Sequence, residues 1–145
     1  MVMHFLKKLP GGAAITNRFN GNTDLLEAVC AGVALVAMAD GNASSEELAT
    51  AKKSLTANKT IAEAFQQSDI TRCMDKMLDT AKDGGRMAKA RLMKQIEDVA
   101  SKPEQAEAVL YAILDVADHG GIDDQELAVV KVVSGRLGLD HTKYL

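Results

Sequence analysis

The sequence predicts an all-α domain, a single helical bundle of about seven helices built around a duplicated helix-turn-helix unit. Three observations lead there. The 145-residue chain holds only two prolines and no tryptophan, and its 47% hydrophobic content is dominated by strong helix formers. Apolar residues recur at helical spacing in almost every long segment, with no sustained two-residue alternation. The third is internal: when Asp115-Val-Ala-Asp-His-Gly-Gly-Ile-Asp-Asp-Gln-Glu126 is laid over Val36 to Glu47, Gly120, Ile122, Asp123, Glu126 and Leu127 fall on Gly41, Ala43, Ser44, Glu47 and Leu48.

The repeat has a physical grammar. In each copy an apolar helix, roughly Thr23 to Asp40 and roughly Lys102 to Asp118, ends at a glycine, which tolerates the left-handed backbone of a helix stop. A capping box then starts the next helix, Ser44 with Glu47 and Asp123 with Glu126. The first copy's apolar helix carries Leu25, Leu26, Val29, Cys30, Val33, Leu35 and Val36 with no wide polar face, so it belongs in the middle of the bundle. Its counterpart, with Pro103 in the first turn and Val109, Leu110, Ile113, Leu114 and Val116 behind it, is expected to pack beside it around an approximate two-fold axis.

The other elements follow from capping and breaking residues. Thr23 is the expected N-cap of the first core helix. The helix begun at Ser44 extends to about Ala57, and a short one is expected near Ile61 to Gln66. Ser68 is expected to cap a helix to about Lys82, which Gly84-Gly85 breaks; another runs from Arg86 to about Ala100. The last long helix spans Asp123 to Leu137 and stops at Gly138, leaving a tail with one turn capped by Asp140. Residues 1–22 read as a short amphipathic helix over Met1–Leu9, stopped by Pro10-Gly11-Gly12, plus a polar connection; residues 23–145 form the helical domain. The N-terminal helix is either docked on the domain or a foot on a membrane surface, for which two lysines give little electrostatic hold.

Composition narrows the function. A net charge of −3 disfavours a general nucleic-acid binder. No apolar run reaches the roughly 18 residues of a membrane span, and the start does not have the order of a signal peptide, so a cytoplasmic protein is expected. Cys30 and Cys73 occur in no CxxC pattern and lie on apolar helical stretches, which points to buried free thiols. No P-loop, nucleophile elbow, HExxH or dinucleotide fingerprint is present, and no catalytic residue is assigned.

Three groups of residues carry chemistry. Asp40, Glu46, Glu47, Asp115, Asp118, Asp123, Asp124 and Glu126 crowd the two turns with no lysine or arginine among them. Asp40, Asp115 and Asp118 stand at helix C-termini, where a negative charge costs on the order of 0.3–1 kcal/mol and a positive neighbour is expected. If the two core helices pack parallel, both turns meet at one end as an oxygen-rich site for Ca²⁺ or Mg²⁺; if they pack antiparallel, the turns separate. Neither turn is an EF-hand, since the first has its glycine in the second position and Ala51 where a bidentate Glu is needed. His119 could add a nitrogen ligand for Zn²⁺ or Mn²⁺. The same acids, Glu46 and Asp124 included, could instead meet a basic partner. The second group, Arg72, Lys76, Lys82, Arg86, Lys89, Arg91 and Lys94, outnumbers its interleaved acids and offers either a solvated face or a docking face for an anionic lipid surface or a partner's acidic loop. The third, Cys73, Met74 and Met77, has the spacing of a core stripe or of a thiophilic site.

Met38-Ala-Asp-Gly-Asn-Ala-Ser-Ser-Glu-Glu-Leu48, followed after a long helical stretch by Ala117-Asp-His-Gly-Gly-Ile-Asp-Asp-Gln-Glu-Leu127 and Arg136-Leu-Gly-Leu139, resembles the TerB family of tellurite-resistance proteins over about Thr23 to Leu145. The resemblance implies an all-helical, internally duplicated, non-enzymatic domain whose acidic turns bind metal. It also implies a cytoplasmic stress-response role at the inner face of the membrane, beside an integral membrane partner of the TerC type. Asp40, Gly41, Glu47, Gly120, Asp123 and Glu126 match the motif positions. His119 replaces the Asp that precedes the second glycine, which makes the two turns unequal as ligand sets.

Overall fold

Every residue from Ala28 to Val36 is buried, so helix α1 (Thr23–Ala37) meets protein on all sides, as its lack of a polar face predicts. The computed structural model describes residues 21–39, 44–118 and 121–145. The expected helix at Met1–Leu9, Asp40 and His119 lie outside the described residues. Around α1 stand α2 (Ser45–Thr56), the short α3 (Lys59–Ala64), α4 (Gln67–Asp83), α5 (Gly85–Glu97), α6 (Pro103–Ala117) and α7 (Asp124–Arg136), with a 3₁₀ turn at His141–Lys143. Among the described residues there is no strand.

The surrounding helices each turn one stripe inward. Leu48, Ala51 and Leu55 do so on α2, Ile70, Met74, Met77, Leu78 and Ala81 on α4, and Ala88, Leu92 and Ile96 on α5. Helix α6 approaches α1 closely at Gly32. A Cβ at Gly32 would stand 2.3 Å from Cδ1 and 2.8 Å from Cγ1 of Ile113, so glycine is what admits the Ile113 side chain at the crossing. Helix α7 is less buried than its apolar pattern predicts: Val130, Val133 and Leu137 face the core, while Val132 is 57% exposed.

Local chemistry moves some boundaries from their expected places. Asn22, not Thr23, caps α1; its backbone is extended and its Oδ1 accepts from the Leu25 amide at 3.1 Å. Asn58 does the same for α3, accepting from the Ile61 amide at 3.1 Å, which starts that helix earlier than expected. Ser68 lies inside α4, whose N-cap Gln66 makes no side-chain capping bond. Gly84 and Gly85 both take positive φ, 67° and 76°, so the chain reverses between α4 and α5 at the predicted point. Helix α5 stops at Glu97 rather than reaching Ala100. Arg136 on α7 pairs with Glu97 at the end of α5.

The C-terminal tail is fastened by two contacts. Asp140 accepts from the Thr142 amide at 3.0 Å, as expected for a capped turn. Tyr144 then donates its hydroxyl to Glu107 Oε2 at 2.8 Å, with its ring edge-on to Tyr111, the centroids 5.2 Å apart. Burial of the ring and the neighbouring Glu107 carboxylate push the Tyr144 phenol up to about 12.

Two outcomes follow. Gly32→Ala gains helix propensity yet is expected to lose about 1–3 kcal/mol net in urea unfolding through overpacking, and Ile113→Val in the same chain restores part of that loss. The Tyr144 phenol is raised above its unfolded value of about 10, so its contribution is fully present below that pH and disappears as pH climbs through the folded value. With Tyr111→Phe leaving a single tyrosine, ultraviolet titration is expected to show ionisation near 12, and Tyr144→Phe flattens the loss of stability between those two pH values.

Candidate acidic cleft

The two capping boxes that start α2 and α7 form as the sequence indicates. Ser44 Oγ accepts from the Glu47 amide at 3.1 Å, and Glu47 Oε1 accepts in return from the Ser44 amide at 3.3 Å. In the other, Asp123 Oδ1 accepts from the Glu126 amide at 2.7 Å and Glu126 Oε1 from the Asp123 amide at 3.1 Å. Each box holds a glutamate side chain back over its helix N-terminus, where the macrodipole favours a negative charge.

Packing brings the boxes together. Gly32 of α1 lies against Val109 and Ile113 of α6, and one turn further along each helix Val36, Ala37 and Val116 line a common cleft, so α1 and α6 run in the same direction. Their C-termini therefore lie at one end of the bundle, and the helices that follow them start there. The cleft, about 370 Å³, is lined by Glu46 and Glu47 on one side and Asp123 and Glu126 on the other, with Val36, Ala51 and Val116 among its apolar walls. Among the described residues no lysine or arginine lines it. The geometry is the parallel alternative of the sequence reading.

The remaining acids sit differently. Asp115 accepts a hydrogen bond from Asn58 Nδ2 at 3.0 Å, joining the end of α2 to α6 outside the cleft lining. Partial burial pushes its carboxyl above the usual carboxylate range, Asp118 adds to that, and the Asn58 bond works against it. Asp118 is the exposed C-cap of α6, and Asp124 is exposed in the first turn of α7. Among the described residues no three acidic, histidine or cysteine side chains converge closely enough to hold a metal ion. The described carboxylates have the hard oxygen donors a divalent cation prefers, in a wider arrangement than inner-sphere ligation by three of them requires.

Sequence reasoning missed Thr50 and Ser54, which also line the cleft. They follow Glu47 at helical spacing on the same face of α2, a signal that was available. It also missed Asn58, whose place before Lys59-Thr-Ile marks a helix start.

The basic residues divide as well. Arg72 pairs with Asp69, Lys76 with Glu27 and Lys82 with Asp79. Arg86 and Lys89 instead edge an apolar groove of about 560 Å³ between α5, α7 and the end of α1, walled by Met38, Leu92, Met93, Val129 and Val132, and have no carboxylate partner among the described residues. Met87, beside them, is 73% exposed.

Because the boxes cap as well as line the cleft, Ser44→Ala and Asp123→Ala are each expected to cost about 0.5–2 kcal/mol in chemical unfolding. Glu46→Gln and Asp124→Asn, exposed and outside the caps' reciprocal bonds, are expected to stay within about 0.5 kcal/mol of the parent.

No curated protein matches the chain, and no solved structure does. The family model described as tellurite resistance protein TerB matches residues 26–145, a span that takes in both acidic turns, both capping boxes and the tail. The chain belongs to the TerB family of tellurite-resistance proteins.

Proposed function

We propose that this TerB-family chain is a non-enzymatic tellurite-resistance protein whose acidic cleft receives a positive group, a divalent cation shared between its two turns. The observation that carries the reading is the convergence of Glu46, Glu47, Asp123 and Glu126 on one cleft with no basic residue of its own among the described residues. Four carboxylates at one end of the bundle, where two helix C-termini offset the positive ends of two helix N-termini, make a local field that favours a cation. Glu47 can serve without dissolving its cap, since only Oε1 is committed to Ser44. In the proposal Asp40 and His119, one from each turn, join Glu47, Asp123 and Glu126 as ligands. Asp115 and Asp118 add negative charge behind them. Oxygen donors favour Ca²⁺ or Mg²⁺, with Mn²⁺ or Zn²⁺ admitted through His119.

The test is a metal titration of the stripped protein followed by backbone amide resonances. Saturable shifts confined to residues 40–47 and 118–126 are expected with one of these cations, and Asp40→Asn with Glu47→Gln abolishes them while the fold persists, because glutamine keeps the oxygen that accepts the Ser44 amide. No shift at millimolar metal would overturn the reading.

A second reading is favoured by the groove beside Arg86 and Lys89. An amphipathic, acidic helix of a partner protein would bury apolar residues on Leu92, Met93 and Val132 and set its carboxylates against the two cations. Glu46 and Asp124, exposed at the mouths of the turns, are the corresponding contacts for a basic partner surface. No helix among the described residues is long and apolar enough to cross a membrane, so a role at the cytoplasmic face of a membrane would run through such a partner, of the integral TerC type in this proposal. Arg86→Glu with Lys89→Glu is expected to abolish co-purification with that partner and leave the metal response unchanged; retained co-purification would reject the groove as its dock.

A further inference from the structure

Between Gly84 and Ile96 the chain holds four cations, Arg86, Lys89, Arg91 and Lys94, and no acid. All four are exposed on α5, and none has a carboxylate partner among the described residues. The flanking acids stand at the ends: Asp83 closes α4, Asp98 caps α5, and Glu97 is taken by Arg136. Helix geometry sorts the residues between them. At about 100° per residue, the line opposite the buried stripe of Ala88, Leu92 and Ile96 passes along Met87, Ala90 and Lys94, with Arg86 on one flank and Arg91 on the other. Lys89 leans instead toward the groove that it lines with Arg86. Met87 is thus set among three cations, and at 73% it is the most exposed large apolar side chain among the described residues.

We propose that the outer face of α5 is a lipid-contact surface, on which Arg86, Arg91 and Lys94 meet the phosphates of an anionic bilayer and Met87 enters the boundary between headgroups and acyl chains. The pattern fits that occupant because a bilayer surface offers both things at once, negative charge spread in a plane and hydrocarbon just beneath it. Lysine and arginine stems lie along the boundary while their charged heads stay with phosphate, which leaves the thioether to go deeper. A nucleic acid would use the cations but not Met87, and no aromatic side chain occurs between Gly84 and Ile96 for a base to stack on. Each cation near an anionic leaflet is worth about fivefold in partitioning, so three give on the order of a hundredfold.

The surface goes beyond both readings above and depends on neither. Arg91, Lys94 and Met87 line neither the acidic cleft nor the groove, so a bound cation or a docked partner helix leaves them available to lipid.

The experiment is flotation of the full chain with vesicles of phosphatidylcholine and phosphatidylglycerol in equal parts, against vesicles of phosphatidylcholine alone. Binding to the mixed vesicles, lost at high salt, is the expected result. Arg91→Gln with Lys94→Gln is expected to lower it by about 25-fold with helicity unchanged, while Lys7→Gln with Lys8→Gln retains most of it. The chain has no tryptophan, so Met87→Trp supplies a single reporter, whose emission is expected to shift to the blue on mixed vesicles and to be quenched by brominated acyl chains. Equal flotation with both vesicle types, or none with either, would overturn the proposal. So would binding that depends on Lys7 and Lys8 rather than on Arg91 and Lys94, or a tryptophan emission that the vesicles leave unmoved. Acetylation of the parent chain decides the matter even if a variant fails to fold: mixed vesicles are expected to shield Lys94 and leave the exposed Lys53 of α2 reactive, and an unshielded Lys94 rejects the face.

Discussion

The arrangement of the molecule depends on the close contact of α1 and α6 at Gly32. Ile113 occupies the space a Cβ would fill, so the two most apolar helices lie against one another in the same direction. Helices joined by short turns normally run antiparallel to their sequence neighbours, and α2 and α7 accordingly start where α1 and α6 end. The acidic end follows from that: two helix C-termini and two helix N-termini share one end of the bundle. The second helices then cross over, α2 reaching α6 through Asn58 and Asp115, and α7 lying against α1 beside Met38.

The capping boxes connect folding to the candidate site. A glutamate that reaches back to its own N-cap has most of its rotamer freedom already removed, so a group binding beside it need not order that side chain again. The same bond restrains the carboxylate from reaching deep into the cleft, which accounts for a described acid set that surrounds space without converging on a point. An acidic cleft of this kind suits a cation that keeps part of its water, or one that draws further ligands from the turns themselves.

Charge of both signs gathers at the C-terminal end of α1, where Ala39 lines both the acidic cleft and the groove edged by Arg86 and Lys89. The three basic residues of α4, Arg72, Lys76 and Lys82, each pair with an acid, which narrows the positive face suggested by the number of cations to α5. Arg86 and Lys89, without a carboxylate partner among the described residues, stand beside apolar surface, so the strip is better suited to a helix with both acidic and apolar groups than to a purely polyanionic partner.

The sequence by itself determined the fold class, the helices among the described residues, both capping boxes, the break at Gly84-Gly85 and the capped turn at Asp140, because each is set by interactions within a few residues of chain. Boundaries slipped where a neighbouring residue competed for the same job, as Asn22 did with Thr23, where a plausible cap such as Ser68 lay within a turn that had already begun, and at the end of α5, which stops at Glu97 short of Ala100. What tertiary structure decided was every relation between distant segments. Periodicity identifies which face of a helix is apolar but carries no sign for the direction in which two such faces pack, so the meeting of Glu47 with Glu126 in one cleft was left as one of two alternatives. The same holds for the joining of Asn58 to Asp115 and the exposure of Val132 on an apolar helix. Those contacts depend on which helix lies beside which, and that is fixed by the packing of whole surfaces around α1 rather than by any local pattern of residues.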